Sequence, residues 1–481
     1  MRENEFLNRL TSIAVQLSAE RDVEKLLHII LESCIEITNS DAGSIYTVEN
    51  DELHFEYTLN HSVDFPFSKY AMPLDRQSIS GNCALNKTAY NISSMKKVEK
   101  LFNIKHNESF DKSVDYRTIN MLVVPMMDYY GEVIGVMQLI NKKEEGSDIT
   151  ISGKTTVKLP SYTELDEQIT SSLASQAAIL IARSRLYNDL SNLLDSIIST
   201  LSAALELRDP VTAGHSRKVA DYAVKLARAV NDDDVIYKDV RFSENQLKEL
   251  EIASLLHDIG KIGISESILQ KQNRLSDEKL NEIEARLYLM GEIIKNGSYS
   301  TYKIGFSENV PAFVERIRRI SDSNLLEYED AGFLNELKNE SPIRYNGREL
   351  YFLNDEEYES LSIESGNLTK EERDLINMHA KYSEEILERI DWGKRLHSVP
   401  KIASRHHERL NGMGYPYGLD MTQLSIRERI LAIADIFDAL TAVIRPYKEA
   451  VSKDKAYKIL DYEVRIGTLD RNLVDLFKTL E

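Results

Sequence analysis

The chain has 481 residues, 42% of them hydrophobic and 28% charged, enough apolar material for two or three folded domains. Its formal charge of −19 excludes broad binding to polymeric nucleic acid or to an anionic membrane surface, since both need basic surface. Any phosphate-bearing partner would have to be held by a few local cations or metals.

The start of the chain, MRENEFLNRL, lacks the apolar core of a signal peptide, and no run reaches the ~18 residues of a spanning helix. Two cysteines, Cys34 and Cys83, give no disulfide framework and fit a reducing compartment, so a cytoplasmic protein is expected. Phe6, Leu10, Ile13 and Leu17 recur at helical spacing, and a second apolar helix is expected from Val23 to about Ile37. The alternating runs SIYTVEN and LHFEYTL, joined at Glu49-Asn50-Asp51, read as a hairpin. MLVVPMMDYYGEVIGVMQLINKK reads as two further strands meeting near Gly131. Together these pieces predict a small α+β domain with an antiparallel sheet. With GEVIGVMQLINKK and LASQAAILIARSRLY as its closing pieces, the segment resembles a GAF domain over roughly residues 5–185, and a sensor domain is assigned to 1–185. The resemblance implies a ligand pocket over the sheet. No residue identifies the ligand, and a purely structural, dimerising role is the alternative.

Residues 165–208 predict a helical linker. Its stripe runs Ile169, Leu173, Gln176, Leu180, Arg183, Tyr187, Leu190, Leu194, Ile197, Leu201, in steps of four and three with only Gln176 and Arg183 polar. A period of 3.5 residues sustained this long favours a parallel coiled coil between two copies, hence a parallel homodimer. The alternative is a long helix packed on its own domains.

From about residue 200 to 481 the pattern is helical, interrupted by an insertion at about 275–367. Between 321 and 369 there are twelve Asp/Glu against three Lys/Arg, a charge that would repel a phosphodiester. A surface insertion of helices with a hairpin at Tyr345-Asn346-Gly347 is expected, with a regulatory lid or partner surface as the alternative.

Seven side chains in this half bear metal-binding chemistry: His215, His257, Asp258, His379, His406, His407 and Asp435. The chain has ten histidines, and five fall in this set. Imidazole with carboxylate suits iron, manganese or zinc, and seven ligands with one shared carboxylate are enough for two ions. His257-Asp258 close the apolar helix IASLLHD, where an adjacent His and Asp can serve neighbouring metals, with Asp258 as the bridge. Lys261, three residues on, can neutralise a phosphate oxygen or a leaving group. Asp435 lies in the apolar RILAIADIFDALT, where an unpaired carboxylate would be costly, and Asp438 one turn later suits an anchoring role.

HDIGK, HHERLNGMGYP and LAIADIFDALTA…RPYKEA together resemble the HD-GYP family, over roughly residues 200–270 and 368–481. The whole chain is then a multidomain protein: a GAF-like α+β sensor, a long helical coiled-coil linker, and an all-α HD-GYP domain with a large insertion. The resemblance implies a phosphodiesterase that hydrolyses cyclic di-GMP to pGpG, and possibly GMP, at two divalent ions per chain, iron or manganese. It assigns His215, His257, Asp258 and Asp435 to one ion and His379, His406, His407 and bridging Asp258 to the other. Asp258 and Lys261 are the expected catalytic residues, and Lys261, Tyr415, Arg445 and Lys448 the expected substrate contacts. Some members carry a third-metal glutamate where this chain has Val211, so two ions are expected. Asn411 stands where an aspartate is usual. A catalytically weak receptor, a hydrolase of another nucleotide and a di-iron oxygenase are the competing readings.

Overall fold

The computed structural model describes residues 22–64, 69–103, 109–208, 214–296, 306, 309–442 and 451–480. The stripe from Phe6 to Leu17 lies outside these residues, as do Val211, Arg445 and Lys448. The chain divides at Leu193 into two compact units.

In the first unit, α1 (Val23–Thr38) begins at Asp22, whose carboxylate accepts from the amides of Glu24 and Lys25, a cap worth about 1 kcal/mol. It stops at Asn39 in the left-handed region, and its Leu27, Ile30, Leu31, Cys34 and Ile35 are buried at one-turn spacing. β1 (Ser40–Glu49) and β2 (Glu52–Asn60) form the expected hairpin through Asn50 and Asp51, at φ 49° and 62°. β3 (Tyr70–Pro73), α2 (Ile79–Asn86) and β4 (Tyr90–Ile92) follow, and β5 (Met121–Met127) pairs with β6 (Val133–Lys142) around Gly131. The antiparallel sheet has the order β3-β2-β1-β6-β5-β4. Alternation along β5 sends Leu122, Val124 and Met126 to the core shared with α1, and Met121 and Val123 to the face that carries α2.

α3 (Glu164–Arg208) is one helix of 45 residues. Leu173, Ala174, Ala177, Ala178 and Ile181 are buried against the sheet's α1-side core, where Leu180 also packs. Leu194 packs on the core of the second unit. The expected seam is therefore divided: Leu173, Leu180 and Leu194 serve the chain's own cores, while Tyr187, Leu190, Ile197 and Leu201 remain exposed beside Ile179, Leu186 and Leu193.

The second unit is helical. α4 (His215–Asp232), α5 (Glu244–Leu256), α6 (Asp277–Asn296), α7 (Val310–Asp322), α8 (Tyr328–Asn339), α9 (Lys370–Leu387), α10 (Val399–Ser404), α11 (Ile426–Thr441), α12 (Lys453–Arg465) and α13 (Arg471–Lys478) are its main elements. Reciprocal capping boxes fix the starts of three of them, Ser243 with Gln246, Thr369 with Glu372 and Ser425 with Glu428. α4, α5, α10, α11, α12 and α13 share one core around Val219, Leu250, Ile402, Leu431 and Phe437. The insertion has a separate core, with Leu287, Ile317, Leu334, Ile343 and Leu361 all buried together. Its hairpin, Ile343–Tyr345 with Arg348–Leu350, turns at Asn346 and Gly347, both at positive φ, as expected. The insertion is thus a subdomain with its own apolar interior, joined at its root by the buried Arg274, which donates to the Leu361 carbonyl at 2.7 Å.

Candidate metal centre

All seven side chains singled out from the sequence come together in the second unit. His215 is the first residue of α4, His257 caps α5, and Asp258 leads into the tight turn Ile259–Gly263. His379 lies on α9, His406 and His407 just follow α10, and Asp435 lies on α11. Their donor atoms form three overlapping groups: His215, His257 and Asp435; His257, Asp258 and His406; and His379, His406 and His407, each within 4.8 Å.

What draws α9 onto the turn is Gly260. A Cβ there would lie 1.9 Å from the His379 carbonyl oxygen, so only glycine lets the two backbones meet. Ser383 fastens the contact: its hydroxyl accepts from the Gly260 amide at 2.9 Å and donates to the His257 carbonyl at 2.6 Å. Asp258 consequently sits 3.3 Å from His379 Nε2, with Lys261 Nζ 2.9 Å from its other oxygen.

Three imidazoles share one local device. His257, His379 and His406 each place Nδ1 on the carbonyl three residues earlier, of Ser254, Ile376 and Ala403, at 2.7, 2.6 and 2.7 Å. A carbonyl can only accept, so Nδ1 carries the hydrogen and Nε2 is left with its lone pair. Nε2 of His257 is buried with no hydrogen-bond partner. Nε2 of His379 faces Nε2 of His406 at 3.4 Å, two lone pairs opposed. A cation among these atoms removes both penalties, so the residues present fit a metal.

Charge points the same way. Burial would lower the His215 imidazolium, but Asp435 at 3.2 Å from Nε2 and Asp438 at 2.6 Å from Nδ1 outweigh it and raise its pKa to about 10. Burial pushes His407 down to about 3, and burial with the adjacent His407 and His257 rings holds His406 well below the usual imidazole range. Burial also lowers His379. Burial alone would raise Asp258, yet Lys261 and the imidazoles of His257 and His379 hold it well below the usual carboxylate range. The same contest, decided by His215 and then His257, keeps Asp435 low. Neutral His379, His406 and His407 with ionised Asp258 and Asp435 are in the state in which such groups ligate, whereas His215 would have to give up a proton to do so.

Tyr415 stands beside the group, its ring 4.7 Å from that of His407. Its loop hangs on Glu408, a buried carboxylate that the motif reading passed over; it accepts from the amides of Tyr417 and Leu419 at 2.7 and 2.8 Å. Asn411 Oδ1 accepts from the Met413 amide at 3.1 Å, a bond that an aspartate oxygen would also make. Ser383 likewise escaped sequence reasoning, because a serine on a helix carries no periodic or motif signal. Arg445 and Lys448 lie outside the described residues.

Comparison with known families and proteins places three matches along the chain: GAF domain over residues 22–181, HD domain over 212–326 and a second HD domain model over 356–473. A 3′3′-cGAMP-specific phosphodiesterase of Vibrio cholerae is 26% identical over 270 residues, 56% of this chain and 35% of its own length. A cyclic di-GMP phosphodiesterase response regulator of Xanthomonas campestris is 38% identical over 117 residues, 24% of this chain and 30% of its own. The match thus spans about a third of each relative's length. Among solved structures, the GAF domain of an Acinetobacter phosphoenolpyruvate-protein phosphotransferase is similar over 38% of this chain and 96% of its own, at 17% identity and a TM-score of 0.29.

Proposed function

We propose, for a chain that carries a GAF domain followed by an HD domain and is homologous to the cyclic dinucleotide phosphodiesterases of the HD-GYP type, a metal-dependent phosphodiesterase that opens cyclic di-GMP to pGpG. The observation that carries the reading is the convergence of His379, His406 and His257 Nε2 lone pairs on Asp258 and Asp435. His215, His257, Asp258 and Asp435 would hold one divalent ion, and His379, His406, His407 and Asp258 a second, iron or manganese. Such ions supply Lewis acidity toward a phosphodiester and a nucleophile at neutral pH. The protein's own part is positioning and charge. Asp258 reaches toward both histidine groups and so sets their separation. Lys261, 2.9 Å from Asp258, presents an ammonium to the phosphate as negative charge develops on it. Tyr415 offers a ring edge beside His407 against which a guanine or ribose can pack. The carbonyl bonds of His257, His379 and His406 keep the rings from turning during the reaction.

No helix among the described residues is long and apolar enough to cross a membrane. The exposed apolar residues of α3 favour a parallel homodimer, with the GAF domain governing rate.

A second reading, 3′3′-cGAMP as the preferred substrate, is favoured by the Vibrio relative that covers most of this chain's length among the two described above. One experiment separates them. Anaerobically purified protein, loaded with iron or with manganese, is given cyclic di-GMP and 3′3′-cGAMP in parallel, and the linear products and GMP are resolved. Cleavage of neither dinucleotide under either metal would overturn the proposal.

A further inference from the structure

The last residue of α3 reaches the turn that carries Lys261. Arg208 Nη2 donates to the Ile264 carbonyl at 2.7 Å, and Gln270 Nε2 lies 3.5 Å from the Arg208 carbonyl, a weak return bond. Ile264 is buried, and its amide donates to the Lys261 carbonyl at 3.0 Å. The Lys261 amide in turn donates to the Asp258 carbonyl at 2.9 Å. Three hydrogen bonds thus lead from the Arg208 guanidinium to the backbone of Asp258. The stretch from Gly263 to Gln272 is also tied to α9 at both ends. A Cβ on Gly263 would lie 2.9 Å from the Tyr382 ring, so the near end packs directly on α9. At the far end Lys271 Nζ holds both oxygens of Glu372, at 2.9 and 2.7 Å, and Asn367 Nδ2 donates to the Gln272 carbonyl at 3.1 Å. Glu372 lies on α9 two turns before His379. From the side of α3 the tie is Arg208.

Two effects hold the Arg208 side chain in place although the residue is exposed. Its bond to Ile264 is charge-assisted, and it stands at the C-terminal end of a long helix, where the dipole favours a cation. Lys261 Nζ lies 2.9 Å from Asp258. Its ammonium has to meet negative charge as that charge develops on phosphate, so a small displacement of the turn alters the rate before it alters the ligands' hold on a metal. Resting on the phosphodiesterase reading, we propose that Arg208 is a positioning residue. Through the Ile264 carbonyl it sets where the turn presents Lys261, which makes the end of α3 part of the frame of the reaction site. Arg208 itself touches neither substrate nor metal in this role.

The test uses the full chain loaded with manganese and compares Arg208→Met with Arg208→Lys. Methionine keeps most of the length and the helix propensity but has no donor, whereas lysine keeps a charged donor at similar reach. With cyclic di-GMP and with bis(p-nitrophenyl) phosphate, Arg208→Met should lower kcat about three- to tenfold, the span one hydrogen bond can move, with KM altered by less than about twofold. Metal per chain should stay at the wild-type level, and Arg208→Lys should recover most of the lost rate. The backbone amides of Lys261 and Ile264 should exchange with solvent faster in Arg208→Met than in the wild type. An unaltered kcat, a loss of metal that matches the loss of rate, or a lysine variant no better than the methionine one would each overturn the assignment. If the wild-type protein hydrolyses neither substrate, the phosphodiesterase reading fails on its own. Amide exchange then decides the positioning role: rates at Lys261 and Ile264 that Arg208→Met leaves unchanged would end it.

Discussion

At the candidate metal centre Asp258 is placed to hold an ion and Asp438 to aim a ligand. Asp258 lies 3.3 Å from His379 on one oxygen and 3.5 Å from His257 on the other, and among the described residues no second carboxylate spans both histidine groups. Asp258→Ala should therefore lose most bound metal and reduce hydrolysis to background; elemental analysis that still finds two ions per chain would contradict the bridge. Among the described residues the Asp438 carboxylate bonds only to His215, at Nδ1, 2.6 Å away and buried. Asp438→Asn preserves shape but removes the charge that orients the ring, and should weaken metal affinity about 10–100-fold. Metal titration of the two variants side by side checks the difference: one should lose the ions, the other should bind them at higher concentration. Most of the seven side chains were legible in the sequence through the motifs that carry them, HDIGK and HHERLNGMGYP among them, and Asp435 because an unpaired carboxylate is costly in an apolar helix. Asp438 was legible only as an anchor, since spacing along α11 places it one turn from Asp435 without naming the imidazole it meets.

Between elements, the decisive contacts are backbone contacts, which leave a weaker trace in sequence. Gly260 allows the turn after Asp258 to touch α9 at His379, and Gly260→Ala should cost about 1–3 kcal/mol of stability through overpacking while pulling His379 away from Asp258. Metal content should fall along with the unfolding midpoint; a stable variant with full metal would show that the approach is not needed. Glu408 acts on the GYP loop. Its two oxygens take the Tyr417 and Leu419 amides, and Glu408→Gln can satisfy one of them as well as before but not both. The expected result is a KM for dinucleotide raised about tenfold with metal content unchanged, read from initial rates over a substrate series. Strand alternation, the Asn50-Asp51 and Asn346-Gly347 turns and the helix caps were all written in local residue choice, so these elements followed from the sequence. The separate core of the insertion did not. Its acidic surface dominates the composition, and Leu287, Ile317, Leu334 and Leu361, which meet only in three dimensions, are spread over α6, α7, α8 and the short helix Asp355–Leu361.

At the scale of the whole molecule, α3 is the element shared by both units, and its surface is unusual for a helix in water. Ile179, Leu186, Leu190, Leu193 and Ile197 are each about half exposed or more, and they follow one another at steps of seven, four, three and four residues. Position 183, which would complete the repeat, is Arg183 and is exposed as well. Leaving such a stripe wet forgoes roughly 25 cal/mol for each Å2 of apolar surface, and in the proposed homodimer a second copy in parallel register would cover it with identical residues at identical heights. In that dimer Arg183 on the seam would give up stability for register and make the packing easy to shift. α3 ends at Arg208, and α4 begins at His215 with a candidate ligand as its first residue. If α3 pairs in a dimer, a change in its seam would reach the chain just before a candidate ligand, His215. Four residues inserted near Leu190 turn the downstream helix by about 40° against the upstream seam, since four steps of about 100° exceed a full turn by that amount. The phosphodiesterase rate should change while metal content per chain stays the same. A protein that remains monomeric at micromolar concentration, or an insertion variant with unaltered rate, would defeat the coupling and leave α3 as a spacer.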